Sequence, residues 1–347
     1  MIQKIHHISS IVSHAQQDLD FYASFLGMRL VKQTLNYDDF NMFHLYYGNR
    51  NASDNIWTTF PMLSSPSGRL GGGQVARSYF QVQPDSLDFW EERFRAFKYD
   101  FSRSKQGICF QDPVGLKICL VEGKDSSEEN WSFNGVEESM AFQKILGVDI
   151  YSQDIEKTRL FLEKFLGFQF EEHAGFYRSI LPSGEFLRFD KENHGRGHIA
   201  VGSVHHLALG VADIQTLETY EKKLEQAGYE TSGIKNRHYF HSLYVREPGG
   251  LLIELATEGP GMLVDENIET LGKSLKIPPH AQQKDVENMM PLFVKEIDQF
   301  QTYSYRDRYE FELLKKKQAI KEQIVKKREE DASEEVALLK EAYRKMR

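Results

Sequence analysis

The sequence predicts an α+β protein built from four copies of one βαβββ unit, arranged as two tandem modules and followed by a C-terminal helical extension. Two observations predict this fold. The order of apolar strand, polar turn, amphipathic helix and Phe-Leu-Gly occurs at 6–30 and again at 146–170. The segments 112–122 and 247–257 share a second pattern, in which an acid and a proline precede a glycine-containing turn and an apolar strand.

Each unit should therefore contain a strand, a helix and about three further strands. The strand–helix part of the repeat lies at 6–30, 76–100, 146–170 and 204–230, and the second of these is the weakest copy. A single unit has a sheet face that it cannot bury alone, so we expect the units to pair. The polar segment 124–140 is a linker, which predicts a first module over 1–123 and a second over 141–258.

Two segments follow the repeats. We expect the tail 259–305 to pack over the modules and to help close a pocket. The extension 306–347 carries charges of both signs at close spacing and has no glycine or proline. This pattern is typical of one or two solvent-exposed helices. Alternatively, this extension could form a dimer contact or a site for an anionic partner.

Composition limits the classes of function. The net charge of −8 argues against nucleic acid as the main partner. No apolar run reaches the ~20 residues of a membrane span, and the N-terminus lacks the features of a secretory signal. Cys109 and Cys119 are expected to be buried thiols in a reducing compartment, although they could pair with each other. We therefore expect a cytoplasmic protein, with homo-oligomerisation left open.

Two histidine pairs occupy the same place in their repeats. His6 and His7 open the first unit, and His205 and His206 open the fourth. Neighbouring residues in a strand point to opposite faces, so one histidine of each pair can face a shared cavity. The alternative for each histidine is a hydrogen-bonded core or surface residue.

Glu254 lies among apolar residues in the last strand of the fourth unit. Burying an unpaired carboxylate is costly, and metal coordination would offset that cost. Two imidazoles and one carboxylate form the facial arrangement that suits non-haem Fe(II) and oxygen chemistry. An exposed position at a sheet edge is the alternative for this glutamate. The second unit has Cys119 at the matching position, so we expect only one half of the protein to hold a metal.

The βαβββ repeat over residues 1–258 resembles the vicinal-oxygen-chelate superfamily, which includes glyoxalases and extradiol dioxygenases. The motifs HHIS at 6–9, HH at 205–206 and RHYFHSLYVREPGGLLIE at 237–254 are more narrowly similar to the hydroquinone ring-cleaving dioxygenases. This resemblance implies that the second histidine of each pair and the glutamate bind Fe(II). It also implies that the first and fourth units close together around the metal.

The resemblance implies further roles in the site. The metal ligands would be His7, His206 and Glu254. The catalytic groups around the substrate would be His6, His205, Arg237 and Tyr244. Ser9 would contribute a hydroxyl for substrate binding. Either His238 or His241 could line the pocket, and His241 is the candidate we place with the substrate-binding residues.

We therefore predict an Fe(II)-dependent extradiol-type dioxygenase, with a small aromatic diol and molecular oxygen as its partners. It would open the ring of a hydroquinone-like substrate in the detoxification or catabolism of quinones and aromatics. Cleavage of catechol is the nearest alternative, because the same three ligands support both reactions. A metal-dependent lyase, isomerase or thiol transferase of the same fold is another. A non-enzymatic protein that binds quinones or drugs is the third.

Overall fold

The computed structural model describes residues 1–62, 65–123 and 130–284, together with Gln323, Ala337, Leu338 and Lys340. Most of the extension 306–347 therefore lies outside the described residues. Within the described part, no helix is both long enough and apolar enough to cross a bilayer.

Each of the four units contributes four strands. The first contains β1 (Ile5–Val12), β2 (Arg29–Leu35), β3 (Phe43–Gly48) and β4 (Ile56–Pro61). The second contains β5 (Gln74–Val82), β6 (Phe101–Ser104), β7 (Gly107–Gln111) and β8 (Lys117–Glu122). The third contains β9 (Phe142–Ser152), β10 (Glu171–His173), β11 (Phe176–Ile180) and β12 (Phe186–Asn193). The fourth contains β13 (Ser203–Val211), β14 (Lys235–Asn236), β15 (His241–Arg246) and β16 (Leu252–Thr257).

One helix follows the first strand of every unit. These helices are α1 (Ala15–Leu19), α2 (Leu87–Ala96), α3 (Ile155–Phe161) and α4 (Ile214–Gln226). The first and third continue as π-helical turns at Asp20–Phe25 and Leu162–Leu166. Asp154 and Asp213 begin α3 and α4, because each carboxylate accepts a backbone N–H of the first turn. The four βαβββ units and the α+β class are thus confirmed.

The sheets combine units from opposite halves of the chain. The nine-stranded sheet has the order β14-β15-β16-β13-β1-β4-β3-β2, and a short strand from the tail, β17 (Leu275–Lys276), completes its edge. It therefore joins the fourth unit to the first, through the antiparallel pairing of β13 with β1. The eight-stranded sheet has the order β10-β11-β12-β9-β5-β8-β7-β6, which joins the third unit to the second. Buried Trp57 and Phe80 pack against each other between the two sheets.

The two cysteines differ from our expectation. Cys109 in β7 and Cys119 in β8 form a disulfide, so the expectation of two buried thiols is wrong for this structure. The physical reason is register, because the two residues lie directly opposite each other on adjacent antiparallel strands. Opposed residues in such a pair bring their Cβ atoms within reach of each other.

The described part of the tail packs against the first unit. Strand β17 pairs with β2 in parallel. The fully buried Lys32 of β2 forms ion pairs with Asp265 at 2.7 Å and Glu266 at 2.5 Å. Its ammonium also lies 5.0 Å from the centre of the Tyr239 ring. Lys32 thus helps to hold the tail on the sheet that carries the histidine pairs, together with the pairing of β17 and β2.

Replacing this lysine should destabilise the fold. The variant Lys32→Ala leaves two carboxylates near each other without their cation, and breaking a buried ion pair in this way costs about 3–5 kcal/mol. Unfolding by denaturant should show a decrease of that order in the free energy of unfolding. The control Lys157→Ala removes a lysine from an exposed ion pair and should leave the midpoint unchanged. An unchanged stability of Lys32→Ala would show that the ion pairs do not hold the tail.

A buried acid in α1 predicts a pH dependence of stability. Burial raises the pKa of Asp18 from 3.8 to about 8, although Thr59 and Tyr47 donate hydrogen bonds to it. Between these values the folded state holds one more proton than the unfolded state, so stability falls as the pH rises. Relative to Asp18→Asn, the wild type should lose stability between pH 4 and pH 8, measured by denaturation at each pH. A constant difference across that range would contradict this assignment.

Candidate metal centre

Three side chains meet where the first and fourth units join. His7 of β1, His206 of β13 and Glu254 of β16 lie on three adjacent strands, and each is at most 3% exposed. The two Nε2 atoms are 3.1 Å apart. Oε2 of Glu254 lies 2.8 Å from Nε2 of His206 and 3.2 Å from Nε2 of His7. The structure therefore brings together the three side chains that the sequence suggested as ligands.

The three donor atoms have the geometry of ligands to one ion. Oε2 of the fully buried Glu254 faces the two imidazole nitrogens, and neither carboxylate oxygen makes a hydrogen bond of regular geometry in the described structure. Separations near 3 Å are those of ligands at right angles around an ion about 2.1 Å from each. Burial raises the pKa of Glu254, but His7 and His206 lower it well below its usual value, so the carboxylate is charged. The donor set thus fits a divalent transition metal with positions left open.

The preceding histidine of each pair contacts the second nitrogen of the candidate ligand. Nδ1 of His6 lies 2.8 Å from Nδ1 of His7, and Nδ1 of His205 lies 2.8 Å from Nδ1 of His206. Burial lowers the pKa of both His6 and His205 to about 3, so both rings are neutral. Hydrogen bonds of this kind fix the orientation of a ligand ring around a metal.

A cavity of about 590 Å³ opens beside the three side chains. Its lining is mostly apolar and aromatic, with Phe60, Phe240 and Tyr46 among the walls. Of the residues that the sequence suggested, the cavity is lined by His7, His206, His205, Arg237 and Tyr244. A site of this size and character accommodates a small aromatic molecule.

Arg237 and Tyr244 lie together on the cavity wall. The Arg237 guanidinium donates a 2.7 Å hydrogen bond to Asp38, and its central carbon lies 5.6 Å from the Tyr244 ring centre. The Tyr244 ring is in edge contact with that of His206, at a centroid distance of 5.5 Å. Burial raises the pKa of Tyr244 well above 10, so its hydroxyl stays protonated. This part of the wall thus presents a cation held by Asp38 and a hydroxyl donor.

Five candidates do not line the cavity, and the predicted ligand Glu254 is one of them. His6 packs edge-on against Phe240, and Ser9 is covered by Thr58, whose hydroxyl lies 2.6 Å from its own. His241 and Tyr244 are separated by three positions in β15, so strand alternation directs them to opposite faces. His238 lies 3.7 Å from Asp265 of the tail, away from the cavity.

The sequence did not point to His44 or Asp38. His44 lies in β3, lines the cavity, and shares a strand face with Tyr46. Alternation along FHLYYG is the one signal that could have placed His44 inside. Asp38 lies in the segment that joins β2 to β3, and its contact with Arg237 joins residues far apart in the chain.

The other half of the protein holds a different arrangement. Among the described residues, His7, His206 and Glu254 form the one cluster with the geometry of a metal site. In the eight-stranded sheet, Arg188 pairs with Asp149 at 2.6 and 2.8 Å and also bonds to Tyr79. An internal ion pair thus takes the place of a ligand set in that half.

Comparison with known proteins gives related sequences over most of the chain. Residues 144–255 match the Glyoxalase/Bleomycin resistance protein/Dioxygenase superfamily. "Putative ring-cleaving dioxygenase MhqO" of Bacillus subtilis is 34% identical, over 85% of this chain and 98% of that protein. "Chlorohydroquinone/hydroquinone 1,2-dioxygenase" of Sphingobium indicum is 29% identical, over 81% of this chain and 93% of that protein.

Solved structures agree with this relationship. The crystal structure of a "putative dioxygenase" from Bacillus subtilis is 32% identical and matches with a TM-score of 0.79, over 85% of this chain and 99% of that chain. Glyoxalase I from Zea mays is 13% identical and matches with a TM-score of 0.55, over 74% of this chain and 92% of that chain. At this level of identity, the match shows a shared fold alone. The chain therefore belongs to the Glyoxalase/Bleomycin resistance protein/Dioxygenase superfamily, and within it to the ring-cleaving dioxygenases.

Proposed function

We propose that this dioxygenase uses Fe(II) to open the ring of hydroquinone-like substrates, in the detoxification or catabolism of quinones and aromatics. The observation that carries the proposal is the buried set of His7, His206 and Glu254 beside an aromatic cavity. Two imidazoles and one carboxylate, with open positions, suit non-haem Fe(II), whereas structural metal sites have four protein ligands. The hydroquinone dioxygenase among the relatives supports the choice of substrate class.

His7, His206 and Glu254 would hold the iron, and the iron when bound supplies a Lewis acid and a site for oxygen activation. A hydroquinone must lose a proton to bind as a phenolate. A phenol bound to a divalent metal ion is acidified, so this proton can pass to water. His205 lines the cavity with its Nδ1 engaged by Nδ1 of His206, so it would orient that ligand ring and present a neutral N–H to the substrate. His6 lies outside the cavity and therefore acts by orienting His7.

Arg237 and Tyr244 would act on charge that develops at the substrate oxygens. The guanidinium is held by Asp38, so it stabilises negative charge without first having to reorient. The protonated Tyr244 hydroxyl can donate a hydrogen bond to the same oxygen. The Arg237 side chain is only 13% exposed, which strengthens its interaction with a charged oxygen.

The reaction can be tested with protein prepared without oxygen and loaded with Fe(II). Wild type should consume oxygen stoichiometrically with hydroquinone and methylhydroquinone, and ring opening should appear in the ultraviolet and visible absorbance. His7→Ala and Glu254→Ala should fall below detection, because each removes a ligand. His173→Ala, which changes a histidine of the other sheet, should retain wild-type activity.

Three outcomes would overturn parts of this proposal. Oxygen uptake with catechol but not with hydroquinone would keep the ligands and replace the substrate. No oxygen uptake by iron-loaded protein would favour a lyase, isomerase or thiol transferase. Failure to bind any metal would favour a non-enzymatic binding protein.

Metal binding itself predicts a change in stability. An ion that binds only the folded state stabilises it by mass action. Adding Fe(II) without oxygen should therefore raise the Tm of the wild type and of His173→Ala, and elemental analysis should give one iron per chain. Glu254→Gln and His206→Ala should show neither the Tm increase nor the bound iron. An equal Tm increase in these variants would place the metal elsewhere.

A further inference from the structure

We propose that His44 binds the second hydroxyl of a para-diol and thereby selects para-diols over ortho-diols. This inference rests on the proposed function and adds a specificity-determining residue to the same cavity. It is carried by the position of His44, by its fixed ring and by the hydrogen-bond chain behind it.

The His44 ring is held in one place by aromatic neighbours. It lies between Tyr46 and Phe60, with ring centroids 4.0 and 4.2 Å away and interplanar angles of 34° and 36°. The side chain is 8% exposed and lines the cavity. Close packing on both sides restricts rotation of the imidazole, so its polar edge points in a fixed direction.

One nitrogen of His44 is already occupied. Nε2 lies 2.8 Å from the Thr58 hydroxyl, which in turn lies 2.6 Å from the Ser9 hydroxyl. Nδ1 of His44 has no hydrogen-bond partner among the residues that the structure describes. This nitrogen therefore remains available to a ligand. A ligand that displaced water from Nδ1 without forming a hydrogen bond to it would bind less favourably.

The chain Ser9–Thr58–His44 suits a hydroxyl group in particular. Burial lowers the pKa of His44 well below 6.5, so the ring is neutral and has one donor and one acceptor nitrogen. The Ser9 and Thr58 hydroxyls can each donate or accept, so the chain permits either tautomer. A phenolic hydroxyl can likewise donate or accept, and it can pair with Nδ1 in both cases.

The position of His44 matches the far end of one aromatic ring. Phe60 contacts both His44 and the candidate ligand His206. The centroid of the Phe60 ring lies 4.2 Å from that of His44 and 6.3 Å from that of His206. The Phe60 ring thus bridges His44 and that ligand along the cavity wall. A para-diol that binds the iron through one oxygen would direct its other oxygen away from the metal, toward this wall. Both oxygens of an ortho-diol would stay beside the metal.

The test compares His44→Phe, which keeps a ring but removes both nitrogens, with His44→Gln, which keeps a donor and an acceptor. Affinities of iron-loaded protein for hydroquinone and for phenol would be measured by calorimetry without oxygen, alongside kcat/KM for hydroquinone. His44→Phe should weaken hydroquinone binding and kcat/KM by about 10- to 100-fold, the effect of one lost buried hydrogen bond, and leave phenol binding unchanged. His44→Gln should recover most of the loss.

Several results would overturn this inference. Equal hydroquinone affinity in wild type and His44→Phe would remove the role of His44 and leave the proposed function intact. Equal losses for phenol and hydroquinone would show a packing defect instead of a lost hydrogen bond. No binding or turnover of hydroquinone by the wild type would overturn the proposed function together with this inference. His173→Phe serves as the matched control and should behave as wild type.

Discussion

The antiparallel pairing of β1 with β13 is the contact on which the rest of the site depends. It aligns Ser9 with His206 and joins the first unit of the chain to the last. The parallel pairing of β13 with β16 then brings Glu254 beside the two histidines. Without this closure, His7 and the other two candidate ligands would lie in separate sheets. The cavity depends on the same closure, because its walls come from both units.

The two halves of the protein show how one repeat can be used in two ways. The pairing of β5 with β9 repeats that of β1 with β13, and the pairing of β12 with β9 places Arg188 opposite Asp149. There, Asp149 accepts hydrogen bonds from the Arg188 guanidinium, whereas the fully buried carboxylate of Glu254 faces two imidazoles and makes no hydrogen bond of regular geometry. A satisfied carboxylate has little to gain from a metal. The proposed chemistry is thus confined to the half in which a metal ion would stabilise the buried carboxylate.

Local sequence signals were enough to predict the repeat and the three candidate ligands, because strand alternation and an acid in an apolar strand are both visible in the sequence. His44, Asp38 and the disulfide could not be predicted with the same reasoning. The surroundings of each depend on which residue lies opposite in a neighbouring strand or loop, and one sequence does not specify that register. Ser9 shows the same limit, since alternation directs it inward but Thr58 then covers it.

The proposed site holds one iron where the first and fourth units meet. Crystals grown without oxygen from Fe(II)-loaded protein, measured on both sides of the iron absorption edge, test it most directly. We expect one anomalous peak per chain, about 2.1 Å from Nε2 of His7, Nε2 of His206 and an oxygen of Glu254. A peak elsewhere in the chain, or none at these side chains in protein shown to contain iron, would contradict it.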